Sequence, residues 1–196
     1  PRAHYPPPLA AAPGPRPALA GTPRHQAWPR KALYLLRHPT ASRSDPSLSE
    51  FFRPLNTRGK RDVPIMAERM LSYAPKPEMI ISSPAKRARR TARGIGAALG
   101  FAKKEIILDE DLYSFSADGF LNIIQRAPEM VEVLALVGHN HGLTECAEML
   151  SGESLVNVPT CGIVLISFTQ QSWGAVGQGG GRLLLFDYPK RKPIQS

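Results

Sequence analysis

Apolar residues gather into short runs that alternate with longer amphipathic stretches. Ala32–Arg37 (ALYLLR), Glu78–Ser83 (EMIISS), Val131–Val137 (VEVLALV), Cys161–Phe168 (CGIVLISF) and Arg182–Tyr188 (RLLLFDY) have strand length and strand composition. Glu105–Leu112 reads as a further strand, third in chain order. Thr57–Tyr73 has helical spacing instead, with Val63, Met66, Ala67, Met70 and Leu71 on one side. Pro64 lies early in it and is tolerated if it falls in the first turn. Pro84–Leu99 carries a proline at its start and Gly100 just past its end, the usual helix asymmetry. Asp118–Arg126 and Leu143–Leu150 are shorter helices, and Gln170–Gly181 is a Gly-rich hairpin connection. Strands alternating with helices predict an α/β three-layer sandwich with a mostly parallel sheet. The last two strands have no helix between them, which predicts an antiparallel edge.

Composition changes this picture at one end only. The 196 residues are 42% hydrophobic and 21% charged, enough for one domain with a core. No apolar run reaches the ~18 residues that a membrane helix needs, so no membrane partner is expected. The formal net charge is +9 and there are twenty prolines. Nine of those prolines and five of the positive charges fall within residues 1–31, which hold no Asp, Glu or Ser. With so few apolar side chains to offset ordering entropy, residues 1–31 are expected to be a disordered or polyproline-like extension. Residues 193–196 are read as a tail. Cys146 and Cys161 form neither a disulfide framework nor a zinc spacing. They favour a reducing compartment, the cytoplasm, or an organelle stroma if the extension is a targeting segment.

In open α/β sheets ligands bind beyond the carboxyl ends of the strands. The first strand ends in Arg37-His38-Pro39-Thr40 and the second in Ser82-Ser83-Pro84, with Arg87 shortly after. The fourth ends in Gly138-His139-Asn140-His141-Gly142. Two arginines and two histidines thus converge on one sheet edge. A neutral imidazole at His38 is a competent nucleophile, and Arg37 and Arg87 offer planar forks of donors that match phosphoryl oxygens. His139, if protonated, would donate to an equatorial oxygen, and helix starts near Pro84 and Gly142 would add N–H groups. This set suits phosphoryl transfer, which is mostly positioning and electrostatic stabilisation. Other signals are weaker. Asp109-Glu110-Asp111 alternate faces along a strand and cannot share one ion well. His139 and His141 have no third ligand close in sequence. Gly177–Gly181 precedes a strand and opens no helix, so it is no dinucleotide loop, and no phosphate-loop pattern occurs.

LYLLRH, Asp45-Pro46-Ser47-Leu48-Ser49, Arg53-Pro54-Leu55-Asn56-Thr57-Arg58-Gly59, IISSPAKRARRTA, Leu112-Tyr113, LALVGHNHGL and GRLLLFDYPK follow one another in order. Together they resemble the SixA-type phosphohistidine phosphatases of the histidine phosphatase (phosphoglycerate-mutase-like) superfamily, over about residues 32–192. The resemblance implies a phosphoglycerate-mutase-like fold, a nucleophile at His38, phosphate-binding Arg37 and Arg87, a second pocket histidine at His139, and neither metal nor organic cofactor. Asn140 is placed with the substrate-binding residues. The sequence departs from the family at Pro39, where Gly or Ala is usual, so any backbone donor used there is lost. It departs again at His141, where Pro is usual. The general-acid Glu that many superfamily members carry is missing after Leu112. Asp109, Glu110, Asp111 and Asp118 are left as alternatives.

These readings make the chain a metal-independent phosphatase acting through a phosphohistidine, with protein phosphohistidine as its expected substrate. A phosphoramidate leaves as an imidazole and needs less help from an acid than an alkoxide does. The expected partner is a phosphorylated protein, such as a histidine phosphotransfer domain, met by a monomer. A small-molecule phosphomonoesterase or mutase of the same superfamily, and a non-catalytic phospho-ligand binder, are the alternatives. Nucleic acid is not an expected partner, since no reader motif accompanies the basic residues.

Overall fold

The computed structural model describes residues 30–192. Most of the Pro/Ala/Arg-rich extension and the 193–196 tail therefore lie outside the described residues. Six strands, β1 (Lys31–Arg37), β2 (Met79–Ser82), β3 (Ile107–Leu108), β4 (Val133–Gly138), β5 (Ile163–Phe168) and β6 (Gly181–Asp187), form one sheet in the order β3-β2-β4-β1-β5-β6. β1 and β2 both pair parallel to the central β4, and β3 pairs parallel to β2. β5 runs antiparallel to both β1 and β6. The reversed strand thus lies inside the sheet, and β6 forms the edge.

Four helices cover the two faces: α1 (Thr57–Met70), α2 (Lys86–Ala98), α3 (Ala117–Gln125) and α4 (Gly142–Ser151). The period of two along β1 explains the layering. Ala32, Tyr34 and Leu36 point to a cluster with Val63, Met66 and Met70 of α1 and Ala88, Ala92 and Ile95 of α2. Leu33 and Leu35 point the other way, toward Phe120 and Ile124 of α3 and Leu143 and Leu150 of α4. Covering both faces is what makes the strand an unbroken apolar run. No described helix is long and apolar enough to cross a membrane.

Several elements depart from the sequence pattern. Glu105–Leu112 is expected as a strand, but only Ile107–Leu108 pairs. The Asp109 side chain accepts from the Asp111 N–H and starts a 3-10 turn at Glu110–Tyr113, which swings Leu112 into the core. α1 stops at Met70, and Leu71, expected on its buried side, is 52% exposed. Pro64 sits in the interior of α1, well past the first turn. It lies on the exposed face with Lys60, whose carbonyl loses its helical donor where water can reach it.

The Gly-rich connection between β5 and β6 carries a 3-10 turn, Trp173–Ala175, that buries Trp173 completely. Its indole N–H donates to the Val131 carbonyl at 2.7 Å, and its ring lies 6.3 Å from Phe168. Lys31, grouped with the extension by composition, is instead the first residue of β1 and only 3% exposed. Its ammonium donates to the carbonyls of Glu129 and Val131 and sits 5.3 Å from the Trp173 ring centroid. Trp173→Ala removes this plug and its cation–π contact. We expect it to lower stability by about 3–5 kcal/mol in chemical denaturation. A loss below ~1 kcal/mol would show that the connection does not seal the core.

Candidate active site

The carboxyl ends of β1, β2 and β4 lie side by side, and the ladder continues one residue past each strand. His38 N–H donates to the Gly138 carbonyl at 3.2 Å, and Ser83 N–H to the Val137 carbonyl at 2.9 Å. Gly138 is tightly enclosed, since a Cβ there would stand 2.6 Å from the Phe120 ring. This edge brings together Arg37, His38, Arg87 and His139, the set expected from the strand ends.

Arg87 is the centre of the cluster. It is 6% exposed, and its Nε donates to His38 Nε2 at 3.2 Å while Nη2 faces His139 Nδ1 at 3.4 Å. Its Nη1 donates to the Glu50 carbonyl. The rings of His38 and His139 are 4.6 Å apart. A guanidinium has no acceptor, so both nitrogens facing it present lone pairs. The other nitrogens carry the protons: His38 Nδ1 donates to the Pro39 carbonyl at 2.5 Å, and His139 Nε2 donates to Ser83 Oγ at 2.7 Å. Each ring is thereby held as one neutral tautomer. Burial, then the charges of Arg87 and Arg37, push the His38 pKa down to about 3, against a smaller opposing pull from the Pro39 carbonyl. Burial, His38 and Arg87 push that of His139 down to about 2. The protonated His139 considered from sequence is thus absent from the free site, and would need a bound dianion to favour it.

Pro39 turns out to matter through its carbonyl, a group that proline keeps. The buried Pro39 is held by the start of α1. Asn56 N–H donates to the Thr40 carbonyl at 3.1 Å, Asn56 Oδ1 caps α1 by accepting from Gly59 N–H at 2.8 Å, and a Cβ on Gly59 would meet Pro39 Cβ at 2.9 Å. The Arg53–Gly59 motif therefore buttresses the loop that follows His38. Arg53 itself donates toward the carbonyls of Ser42 and Asp45.

Arg37 donates through Nη1 to the Val158 carbonyl at 2.6 Å, while its buried Nε has no hydrogen-bond partner. Neither Arg37 nor Arg87 is ion-paired with a carboxylate among the described residues. Burial lowers the proton affinity of both, yet arginine stays charged, so the site is net positive.

Asn140, expected among the substrate-binding residues, makes structural contacts with its side chain. Its Nδ2 donates to Asn157 Oδ1 at 2.5 Å, and its Oδ1 accepts from Thr144 at 2.8 Å, so the amide ties the loop after α4 to that helix. His141 is exposed. The candidate acids are placed elsewhere. Asp109 and Asp111 both pair with Arg126, at 2.6 and 3.0 Å, and Glu110 and Asp118 are exposed. The carboxylate that acts on Arg87 is that of Glu50, and it is paired with Arg53 at 2.8 Å. Sequence reasoning gave no role to Ser83, although it stands in the same strand-end motif as Arg87. It also missed Phe51, Tyr113 and Phe115, whose rings border the pocket.

These tautomers predict that neither imidazole titrates between pH 5 and 8 by NMR. A His38 midpoint near 6.5 would contradict the geometry. Unfolded histidines titrate near 6.5. Between that pH and about 3 the unfolded chain binds the extra protons, so stability falls as pH drops through this window. Arg87→Met removes a charge that depresses both groups, and is expected to move the His38 midpoint upward.

Known proteins resemble this chain in sequence and in fold. Residues 33–123 match the model of the histidine phosphatase superfamily (branch 1). An uncharacterized chloroplastic protein of Arabidopsis thaliana is 34% identical over 166 residues, which cover 78% of this chain and 75% of that protein. The structure assigned as phosphohistidine phosphatase SixA of Agrobacterium tumefaciens superposes with a TM-score of 0.68 and 28% identity, covering 82% of this chain and 99% of the other. The SixA structure from Nakamurella multipartitia has the same fold, with a TM-score of 0.68 at 21% identity, over 82% of this chain and 97% of that one. The chain belongs to the histidine phosphatase superfamily and has the SixA-type α/β fold, with His38, Arg37, Arg87 and His139 gathered at one edge of its sheet.

Proposed function

We propose that this chain is a metal-independent phosphatase that passes a phosphoryl group through His38, and that its substrate is protein phosphohistidine. One observation carries the reading. His38 is a neutral imidazole whose Nδ1 proton is fixed on the Pro39 carbonyl, so that the Nε2 lone pair faces the pocket beside Arg87.

The reaction follows from these groups. Phosphoryl oxygens replace the imidazole nitrogens as acceptors for Arg87 and take up the unpartnered Nε of Arg37. His38 Nε2 attacks phosphorus as the bond to the leaving group breaks and its electron pair departs on the leaving atom. The Pro39 carbonyl stabilises the positive charge that develops on the His38 ring. Arg37 and Arg87 hold the equatorial oxygens, joined by His139 once the bound dianion has favoured a solvent proton on its Nδ1, and the two guanidiniums supply the positive charge that a metal ion would otherwise bring. Water then attacks the phosphorus of phospho-His38, the P–Nε2 bond breaks, and inorganic phosphate leaves with the neutral imidazole restored.

The engaged acids favour one substrate class. Asp109 and Asp111 are bound to Arg126 and Glu50 to Arg53, so none of these carboxylates is poised to protonate a leaving group. An alkoxide needs such a donor, worth roughly 10²–10⁴-fold. A phosphohistidine ring that carries a proton on its second nitrogen leaves as neutral imidazole and needs none. The name of the Agrobacterium tumefaciens relative supports the same substrate.

With a phosphohistidine peptide or phosphoramidate as donor, turnover is expected to persist in chelator and to fall by about 10³-fold or more in His38→Ala. Sugar phosphates are expected to react at least ~10²-fold more slowly. Loss of turnover in chelator would overturn metal independence. Efficient hydrolysis of sugar phosphates with phosphohistidine untouched would overturn the substrate. Phosphate binding without turnover would make the chain a binder.

A further inference from the structure

The phosphoryl chemistry leaves one wall of the pocket without a role. Phe51 lies 5.1 Å from Phe52 and 5.5 Å from Tyr113, and Tyr113 lies 6.2 Å from Phe115. Tyr113 meets the His139 ring edge-on at 5.3 Å, and Phe115 meets it at 6.5 Å. Two segments distant in sequence build this wall, the 3-10 turn Glu50–Phe52 and the end of the 3-10 turn Glu110–Tyr113 with the residues that follow it. Both are tied to the catalytic centre. The Glu50 carbonyl accepts from Arg87, and Tyr113 lies within electrostatic range of the same guanidinium.

Core packing accounts for the half-buried Phe51 and Tyr113 only in part, and for Phe115 and Phe52 hardly at all. Phe115 is 64% exposed and Phe52 is 58% exposed, so both forgo most of the burial that normally holds a phenylalanine in place. Phosphate recognition does not account for them either, since a phosphoryl dianion seeks the guanidiniums and gains nothing from an aromatic face. What remains is the group joined to the phosphoryl.

We infer that Tyr113 and Phe115, backed by Phe51, form a leaving-group subsite for a planar heteroaromatic ring, the imidazole of phosphohistidine. This rests on the phosphatase reading above and supplies the residues that would select its substrate. A π face suits an imidazole in two ways. Ring–ring contact favours a planar aromatic group over an alkyl one. The phosphohistidine ring also departs well only with a proton on its second nitrogen, and a ring in that state is attracted to the negative face of an aromatic side chain. The wall thus favours the protonated form of the leaving group, in a pocket whose carboxylates are engaged elsewhere.

Because Phe115 is mostly exposed, Phe115→Leu keeps an apolar side chain and puts little of the core at risk. The reading is the ratio of kcat/KM for phosphoimidazole, with a ring leaving group, to that for phosphoramidate, which releases ammonia. That ratio is expected to fall about tenfold in Phe115→Leu and to recover in Phe115→Trp. Equal loss on both donors, or no change in the ratio, overturns the subsite and leaves the phosphatase reading standing. A second measurement needs no turnover. By calorimetry, phenylphosphonate is expected to bind about tenfold more tightly than methylphosphonate to the natural sequence, and Phe115→Leu is expected to erase the difference. Equal binding of the two phosphonates by the natural sequence overturns the subsite. A chain that hydrolyses no phosphoryl donor at all, yet keeps the phosphonate preference, overturns the phosphatase reading alone.

Discussion

A buried guanidinium must place its donors somewhere, and among the described residues no carboxylate pairs with Arg87 to receive them. It donates to the Glu50 carbonyl and faces the two histidines. This single constraint organises the site. Each nitrogen turned toward Arg87 has to be a lone pair, so each ring carries its one proton on the far side, where Pro39 and Ser83 receive it. Burial and the nearby positive charge then keep both imidazoles neutral. A nucleophile with an available lone pair and a cluster of donors for phosphoryl oxygens are two results of the same arrangement.

The rest of the fold keeps this arrangement fixed. Parallel pairing of β1 and β2 with β4 sets three strand ends side by side, and hydrogen bonds past the strand ends align His38 and Ser83. The α1 start braces Pro39 from below through Asn56 and Gly59. On the far side, Asn140 joins Thr144 to Asn157 and so steadies the loop whose Val158 carbonyl holds Arg37. These are positioning contacts. They transmit order to Pro39 and Arg37.

The central part of this was legible in the sequence because it is local. Arg37 and His38 are adjacent, Arg87 lies just past β2, and His139 just past β4. A strand followed by such a residue places it at the carboxyl edge whatever the distant packing does. What escaped depends on contacts between distant segments. Phe51 and Tyr113 meet although they stand 62 positions apart, and nothing in either neighbourhood announces the other. Lys31 reads as one more cation of a basic extension until Trp173, far along the chain, is found above it. The contacts of the Asn140 amide with Thr144 and Asn157 join a helix to the loop after it, which its motif does not report. Pro39 looked damaging because proline lacks an N–H, whereas the site uses its carbonyl. The short β3 reflects side-chain capping by Asp109, which strand periodicity does not report.

The account stands or falls on which atom takes the phosphoryl group. Mixing the protein with excess phosphoramidate, quenching within milliseconds in alkali and examining the chain by phosphorus NMR and peptide mass spectrometry reads this directly. The geometry predicts one phosphoryl group on His38, as the Nε2 isomer, absent from His38→Ala. Phosphorylation at Nδ1 of His38, modification of His139 in its place, or turnover with no phosphorylated histidine would contradict it.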